Sequence, residues 1–353
     1  MSIIPIRALD PANRGRATAD PIGPGPSGRL GIGTMAGLGL LAGLSSAVVA
    51  LLGQARSATK SIEAAAIEAA MADGSLVPPA VPGGTRAQQR LADHLVHVRL
   101  PQGEGVYAPD GSHSADPSSC PGPELRQPLR LAMLGDSTSV GYGTGSADEL
   151  PGVILARGVA RDLDRPVRML SYGLTGARTS DLAGQLEKCL EEPKPDICVI
   201  LIGANDLRDM VPPWRSAALL GEAVTLLTGL GIPVVAGTCP DFGVIIGIPQ
   251  PLRGVLGTVS TGLAALQDRA VTDAGGATVS LGRLVGPQFA GKPEMFHRDH
   301  FHPSGAGYGQ AMAAMLPVVV AELAPPPEQS AWSPPAGSPQ AGTVPADEHP
   351  MTA

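Results

Sequence analysis

The sequence predicts an α/β domain built on a five-stranded parallel sheet with helices on both faces. Two observations carry that prediction. From Leu129 onward, short apolar runs alternate with longer helix-length stretches, the texture of strands joined by crossover helices. The short runs are apolar almost throughout, which suits strands buried on both faces. Strands are expected at 131–134, 167–170, 197–202, 232–236 and 277–281. Helices are expected near 150–163, 179–190, 214–230 and 254–274, with a last one at 305–323. One domain, 128–324, accounts for all of them.

The remainder of the 353 residues reads as appendages. Residues 1–28 are rich in Pro, Gly and Arg without periodicity and are expected to be disordered. Met35 to Gly53 carries no charge, and as a helix it would extend roughly 28 Å, close to the hydrocarbon thickness of a bilayer. Arg7, Arg14, Arg16 and Arg29 precede it, which favours a cytoplasmic N-terminus. Segment 29–56 is therefore expected to be a membrane anchor, with a cleaved signal helix or a buried soluble helix as alternatives. The domain behind an anchor or signal would be extracytoplasmic. Residues 61–73 are strong helix formers stopped by Gly74. The rest of 57–127 is punctuated by Pro and Gly and reads as a spacer, and the Pro-rich tail 325–353 as disordered.

Composition excludes several function classes. The net charge of −7 comes with no basic stripe interleaved with aromatics, so a nucleic-acid partner is not expected. Four cysteines, at 120, 189, 198 and 239, are too few and scattered for a disulfide scaffold or a paired zinc site. Cys198 reads as a small core residue. A Cys189–Cys239 bridge is open if the domain sits in an oxidising compartment.

In open α/β sheets ligands bind beyond the carboxyl ends of the strands, and the informative residues fall there. The first strand is followed by Gly135-Asp136-Ser137-Thr138-Ser139-Val140-Gly141, and the second by Ser171-Tyr172-Gly173-Leu174-Thr175-Gly176. The third ends in Gly203-Ala204-Asn205-Asp206, and Asp299-His300-Phe301-His302-Pro303-Ser304 stands near the end of the domain. A serine hydroxyl at a helix start sits where the dipole favours developing negative charge, but it needs a base to become a nucleophile. A histidine has the proton affinity for that task at neutral pH.

These four blocks, in this order and at strand ends, resemble the SGNH (GDSL-like) hydrolase superfamily over roughly 130–324. The arrangement of anchor, spacer and hydrolase domain is similar to exported, membrane-attached actinobacterial esterases. The resemblance implies a flavodoxin-like three-layer sandwich, to which the chain adds an N-terminal transmembrane helix. It implies Ser137 as nucleophile, His302 as base and Asp299 as the carboxylate that orients it. It also implies an oxyanion hole made of the Ser137 and Gly176 amides and the Asn205 side chain. The departure from the family pattern is Ser171, where Asn is frequent. The implied activity is carboxylic ester hydrolysis through an acyl-enzyme, with no cofactor and no metal. A carbohydrate O-deacetylase, thioesterase or lysophospholipase could use the same residues, and an inactive surface ligand-binding relative is the reading from another class.

Other residues have plainer readings. Asp136 is expected to bond loop amides and Asp206 to shape a turn. His297, His300 and His302 with Asp299 have metal-ligand chemistry, but their spacing matches no closed zinc pattern, so His297 and His300 read as loop residues. Trp214 reads as packing. Ile245 to Leu256 reads as a loop over the pocket, its apolar character favouring a hydrophobic acyl chain.

Overall fold

Alternate residues along a strand point to opposite faces, and β5 (Leu129–Gly135) shows what that does here. Leu129, Leu131 and Met133 enter one core, while Ala132 and Leu134 enter another. All five are buried, so the strand must be covered from both sides. The structure is a computed structural model describing residues 32–72, 76–77, 97–98, 101–116, 127–191 and 193–324. The chain divides into two units, 1–50 and 51–353. The disordered segments expected at 1–28 and 325–353 lie outside the described residues.

In chain order the strands are β1 (Leu76–Val77), β2 (His97–Val98), β3 (Gly105–Tyr107), β4 (His113–Ser114), β5, β6 (Val167–Ser171), β7 (Ile197–Leu201), β8 (Val234–Gly237) and β9 (Ala277–Val279). The helices are α1 (Ile32–Ala72), α2 (Ser137–Val140), α3 (Pro151–Leu163), α4 (Leu182–Cys189), α5 (Ala204–Arg208), α6 (Pro213–Gly229), α7 (Leu252–Asp273), α8 (Leu281–Leu284), α9 (Gly286–Phe289) and α10 (Gly305–Leu323).

The main sheet runs β4-β3-β6-β5-β7-β8-β9. Its five strands from β6 to β9 are parallel, at the positions expected. The sheet is nevertheless mixed: β3 pairs antiparallel with β6, and β4 with β3. Both extra strands come from the stretch expected to be a spacer. Val106 and Tyr107 are buried there, the Tyr107 hydroxyl donating to the Gly103 carbonyl at 2.6 Å. A second, two-stranded sheet pairs β1 with β2.

One face of the sheet is covered by α3 and α10, through Val153, Ala156, Val159, Met312, Met315 and Val319. The other is covered by α4 and α6, through Leu182, Leu186, Leu220, Val224 and Leu227. Each fully buried side chain of this size contributes about 1.5–3 kcal/mol of hydrophobic stabilisation. Among the described residues α10 is the helix long and apolar enough to cross a membrane by length and composition. Its Tyr308, Met312, Met315 and Val319 are buried in the domain. The segments read separately as anchor and following helix form one helix, α1, because the isolated Gly53 is no sufficient breaker. From Leu51 onward, Ala58 and Ile62 of α1 pack on the domain core.

β5 has β6 on one side and β7 on the other, so the chain's direction of travel across the sheet reverses at β5. Crevices open at such switch points, beyond the strands' carboxyl ends. The loop after β5 is Gly135-Asp136-Ser137.

Candidate active site

The turn out of β5 is tight because Gly135 takes φ +132, and a Cβ there would lie 1.8 Å from the Leu201 carbonyl oxygen. Only glycine fits that approach. The next amide, Asp136 N–H, donates to the same Leu201 oxygen at 3.0 Å. Asp136 then caps α2, its Oδ1 accepting from Thr138 N at 2.9 Å. This is the loop-bonding role expected of it. Burial pushes the Asp136 carboxyl up to about 6, against the lowering effect of the Thr138 hydrogen bonds and the nearby His302. Ser137 therefore opens a helix with its amide forward, and among the described residues that amide has no hydrogen-bond partner.

His302 arrives from a loop rather than a helix turn. Asp299 Oδ1 accepts from the amides of Phe301 (2.9 Å) and His302 (3.0 Å), and His300 between them takes φ +57. The fold of this loop thus brings Asp299 Oδ2 within 2.7 Å of His302 Nδ1. A carboxylate can only accept, so Nδ1 carries the proton and Nε2 has a free lone pair. That Nε2 lies 3.1 Å from Ser137 Oγ, inside the range for proton transfer. Tyr142 packs on the His302 ring at 4.3 Å between centroids, and the Tyr308 hydroxyl fixes the Tyr142 carbonyl at 2.8 Å. Burial alone would raise the Asp299 carboxyl; the close His297 ring and the hydrogen bond with His302 outweigh it and hold the group well below the usual carboxylate range.

His297 is a residue that sequence reasoning placed merely in a loop. Its Nδ1 stands 3.4 Å from the Asp299 oxygen that His302 occupies at 2.7 Å. The longer contact falls short of a formed hydrogen bond, and His297 Nδ1 is buried without one. His300 is exposed.

Three loops are stitched together beside Ser137. Leu174 N donates to the Gly135 carbonyl at 3.0 Å, tying the loop after β6 to the end of β5. Asn205 Nδ2 donates one hydrogen to the Ala177 carbonyl at 2.9 Å, which leaves its second hydrogen available. Gly176, just before Ala177, has φ +82 and open space where a Cβ would stand, so it is glycine for its turn rather than for close approach. Among the described residues its amide is unbonded. Asp206 does more than shape a turn: buried, its Oδ2 accepts from Thr179 N (2.9 Å) and Thr179 Oγ1 (3.0 Å).

Two buried glutamines were not legible as site residues. Gln185 on α4 clamps Gly135, accepting its N–H at 2.7 Å and donating to its carbonyl at 2.8 Å. Gln267 on α7 bridges the ends of β7 and β8, donating to the Ile202 carbonyl (3.1 Å) and accepting from Cys239 N (2.7 Å). Each satisfies backbone groups that the strand ends leave unpaired.

Ser137, Asn205 and His302 line a cavity of about 100 Å³ whose walls include Ile202, Val244, Ile245, Leu281, Val285 and Phe289. Gly176 is not among its lining residues. Trp214 is 69% exposed, against the expectation that it packs. Cys189 Sγ lies 3.9 Å from Cys198 Sγ, so its neighbour is Cys198 and not Cys239, and all three are buried free thiols. Burial also pushes the Cys239 thiol up. Among the described residues no group of three or more His, Cys, Asp or Glu is arranged to hold a metal ion.

The model of the GDSL-like lipase/acylhydrolase family matches residues 133–310, half of the chain. The chain belongs to that family. Membership makes this GDSL-like protein a carboxylic ester hydrolase. It is 41% identical over 241 residues to a GDSL-like esterase of Mycobacterium tuberculosis, a match spanning 65% of this chain and 75% of the relative. Among solved structures it is similar to an α/β hydrolase from the metagenome of Lake Arreo, at 21% identity and a TM-score of 0.45. That match covers 56% of this chain and 97% of the other. An extracellular lipase from Streptomyces rimosus matches at 18% identity and a TM-score of 0.40, over 55% and 99% of the two chains. The region matched by the family model contains Ser137, Gly176, Asn205, Asp299 and His302.

Proposed function

We propose that this ester hydrolase works through an acyl-enzyme on Ser137, with His302 as general base and acid and Asp299 as the residue that orients it. The observation that carries the reading is the unbroken line from Asp299 Oδ2 to His302 Nδ1 at 2.7 Å and from His302 Nε2 to Ser137 Oγ at 3.1 Å. Ser137 Oγ attacks the ester carbonyl carbon while its proton passes to His302 Nε2. The imidazolium is stabilised by Asp299, which stays ionised, consistent with a carboxyl held well below its usual range. Collapse of the tetrahedral adduct breaks the bond to the leaving alcohol, which takes the proton from Nε2. Water then repeats the sequence on the acyl-serine and releases the acid.

The negative charge on the carbonyl oxygen needs preorganised donors. The Ser137 amide, the Gly176 amide and the second Asn205 hydrogen are donors left without a partner among the described residues, which supports their assignment to the oxyanion hole. The apolar cavity beside Ser137 supports a hydrophobic acyl group on the ester. The uncharged run 35–53 within α1 supports attachment to a membrane, with the 128–324 domain on its outer side.

Hydrolysis of p-nitrophenyl acyl esters tests the assignment. Activity is expected to vanish in Ser137→Ala and to fall by several orders of magnitude in His302→Ala. Rates in Ser137→Ala equal to those of the parent would defeat it.

A further inference from the structure

The cavity beside Ser137 holds a polar group that the proposed chemistry does not use. Thr238, just past the end of β8, is 1% exposed and lines the cavity, and its Oγ1 is buried without a hydrogen-bond partner. Several other polar groups that line the cavity are engaged. Asp136 Oδ1 takes the Thr138 amide, Asp241 Oδ1 takes the Gly243 amide at 2.7 Å, and the Tyr308 hydroxyl donates to the Tyr142 carbonyl. Most of the cavity's lining is aliphatic or aromatic. Valine has the same shape and would fill this position without leaving a polar atom unpaired, which buried groups rarely are.

The position is also rigid. Thr238 N donates to the Val279 carbonyl at 3.0 Å, and the next amide is held by Gln267. A β-branched side chain on so fixed a backbone has little rotamer freedom, so the hydroxyl is preorganised. β8 lies two strands from β5 in the sheet, and neighbouring strands are about 4.8 Å apart, which sets Thr238 roughly 10 Å across the sheet from the nucleophile loop. The cavity has room for on the order of seven to ten water-sized groups.

The geometry points to an acyl pocket for short to medium chains that carry a hydroxyl or similar oxygen several bonds from the ester carbonyl, recognised by Thr238 Oγ1. This rests on the Ser137 acyl-enzyme reading and adds the substrate class. An acyl oxygen at that depth completes the Thr238 hydrogen bond, whereas a plain alkyl chain strands it, and the difference of one such bond is about ten-fold.

The test compares kcat/KM for ethyl hexanoate with that for ethyl 3-, 5- and 6-hydroxyhexanoate. The wild-type enzyme is expected to favour at least one hydroxy isomer about ten-fold over the plain ester. Thr238→Val and Thr238→Ala are each expected to bring that ratio to one or below, while Thr238→Ser keeps it. A wild-type ratio of one or less for every isomer overturns the proposal. So does an unchanged ratio in the Val and Ala variants, or an equal gain on all four esters, which would mean that the hydroxyl serves water. Failure of the underlying reading looks different: Ser137→Ala would then hydrolyse ethyl hexanoate like the parent.

Discussion

Gln185→Leu removes the clamp on Gly135 and nothing else near the nucleophile. The side chain is 2% exposed, and its two bonds to Gly135 measure 2.7 and 2.8 Å. Leucine is close in volume, so the change opens little cavity. It leaves the Gly135 N–H buried without its acceptor, and the Gly135 carbonyl with only the Leu174 amide. An unsatisfied buried donor costs about 1–3 kcal/mol, and the weakened carbonyl adds part of the same, so a loss of about 2–4 kcal/mol is expected. That is a large share of the 5–15 kcal/mol that holds a typical domain together. The same clamp fixes the peptide preceding Asp136, so Ser137 Oγ should also lose its register with His302. Urea denaturation reads the first effect, and kcat on a p-nitrophenyl ester reads the second. The reasoning is refuted if the midpoint shift corresponds to less than about 1 kcal/mol while kcat stays within two-fold.

Asn205→Ala removes a proposed oxyanion donor and is expected to lower kcat by about 10²–10³, while loss of its bond to the Ala177 carbonyl costs about 1 kcal/mol of stability, as seen by parallel kinetics and urea titration. Asp299→Asn would favour the wrong tautomer of His302, and a fall in kcat on the order of 10³–10⁴ is expected. The parent carboxyl is held low in the fold, so its stabilisation is present above the unfolded value near 3.9 and lost as pH falls below it; the Asn variant should lack that acid sensitivity. Asp136 has the opposite sign. Its folded value of about 6 lies above the unfolded one, so stability from this group is full below about pH 4 and declines as pH rises to 6. Asp136→Asn keeps an oxygen for the Thr138 amide and is expected to abolish that decline, gaining at most about 3 kcal/mol at pH 7. Urea midpoints at about pH 4, 5, 6 and 7 check the Asp136 variant, and midpoints at about pH 2 and 3 beside that at pH 4 check the Asp299 variant.

The five parallel strands were legible because burial on both faces forces near-continuous apolar runs such as Ile197-Cys198-Val199-Ile200-Leu201. β3 and β4 were not, since they are three and two residues long within a Pro- and Gly-rich stretch. β3 is a strand because it pairs with β6, some sixty residues later in the chain, and β4 because it pairs with β3; no local pattern records either. At the site, the residues that meet at strand ends carry motifs and could be named in advance. Gln185 and Gln267 could not, and Asp206 was legible only as a turn residue. A lone polar residue on a helix or turn looks the same in sequence whether it faces solvent or clamps a buried backbone. Thr238 shows the same blindness: only the fold distinguishes a strand-end hydroxyl with a partner from one without. His297 was passed over because its relation to Asp299 depends on the loop curling back, with His297 N donating to the His302 carbonyl at 2.8 Å.

Labelling with a fluorophosphonate, followed by peptide mass spectrometry, reaches the proposed chemistry most directly. The reagent reacts with a serine only where a base and oxyanion donors activate it. A single adduct on the peptide bearing Ser137, absent in His302→Ala, is the result that the geometry calls for. An unlabelled Ser137 in active enzyme, or an adduct on another residue that abolishes activity, would contradict it.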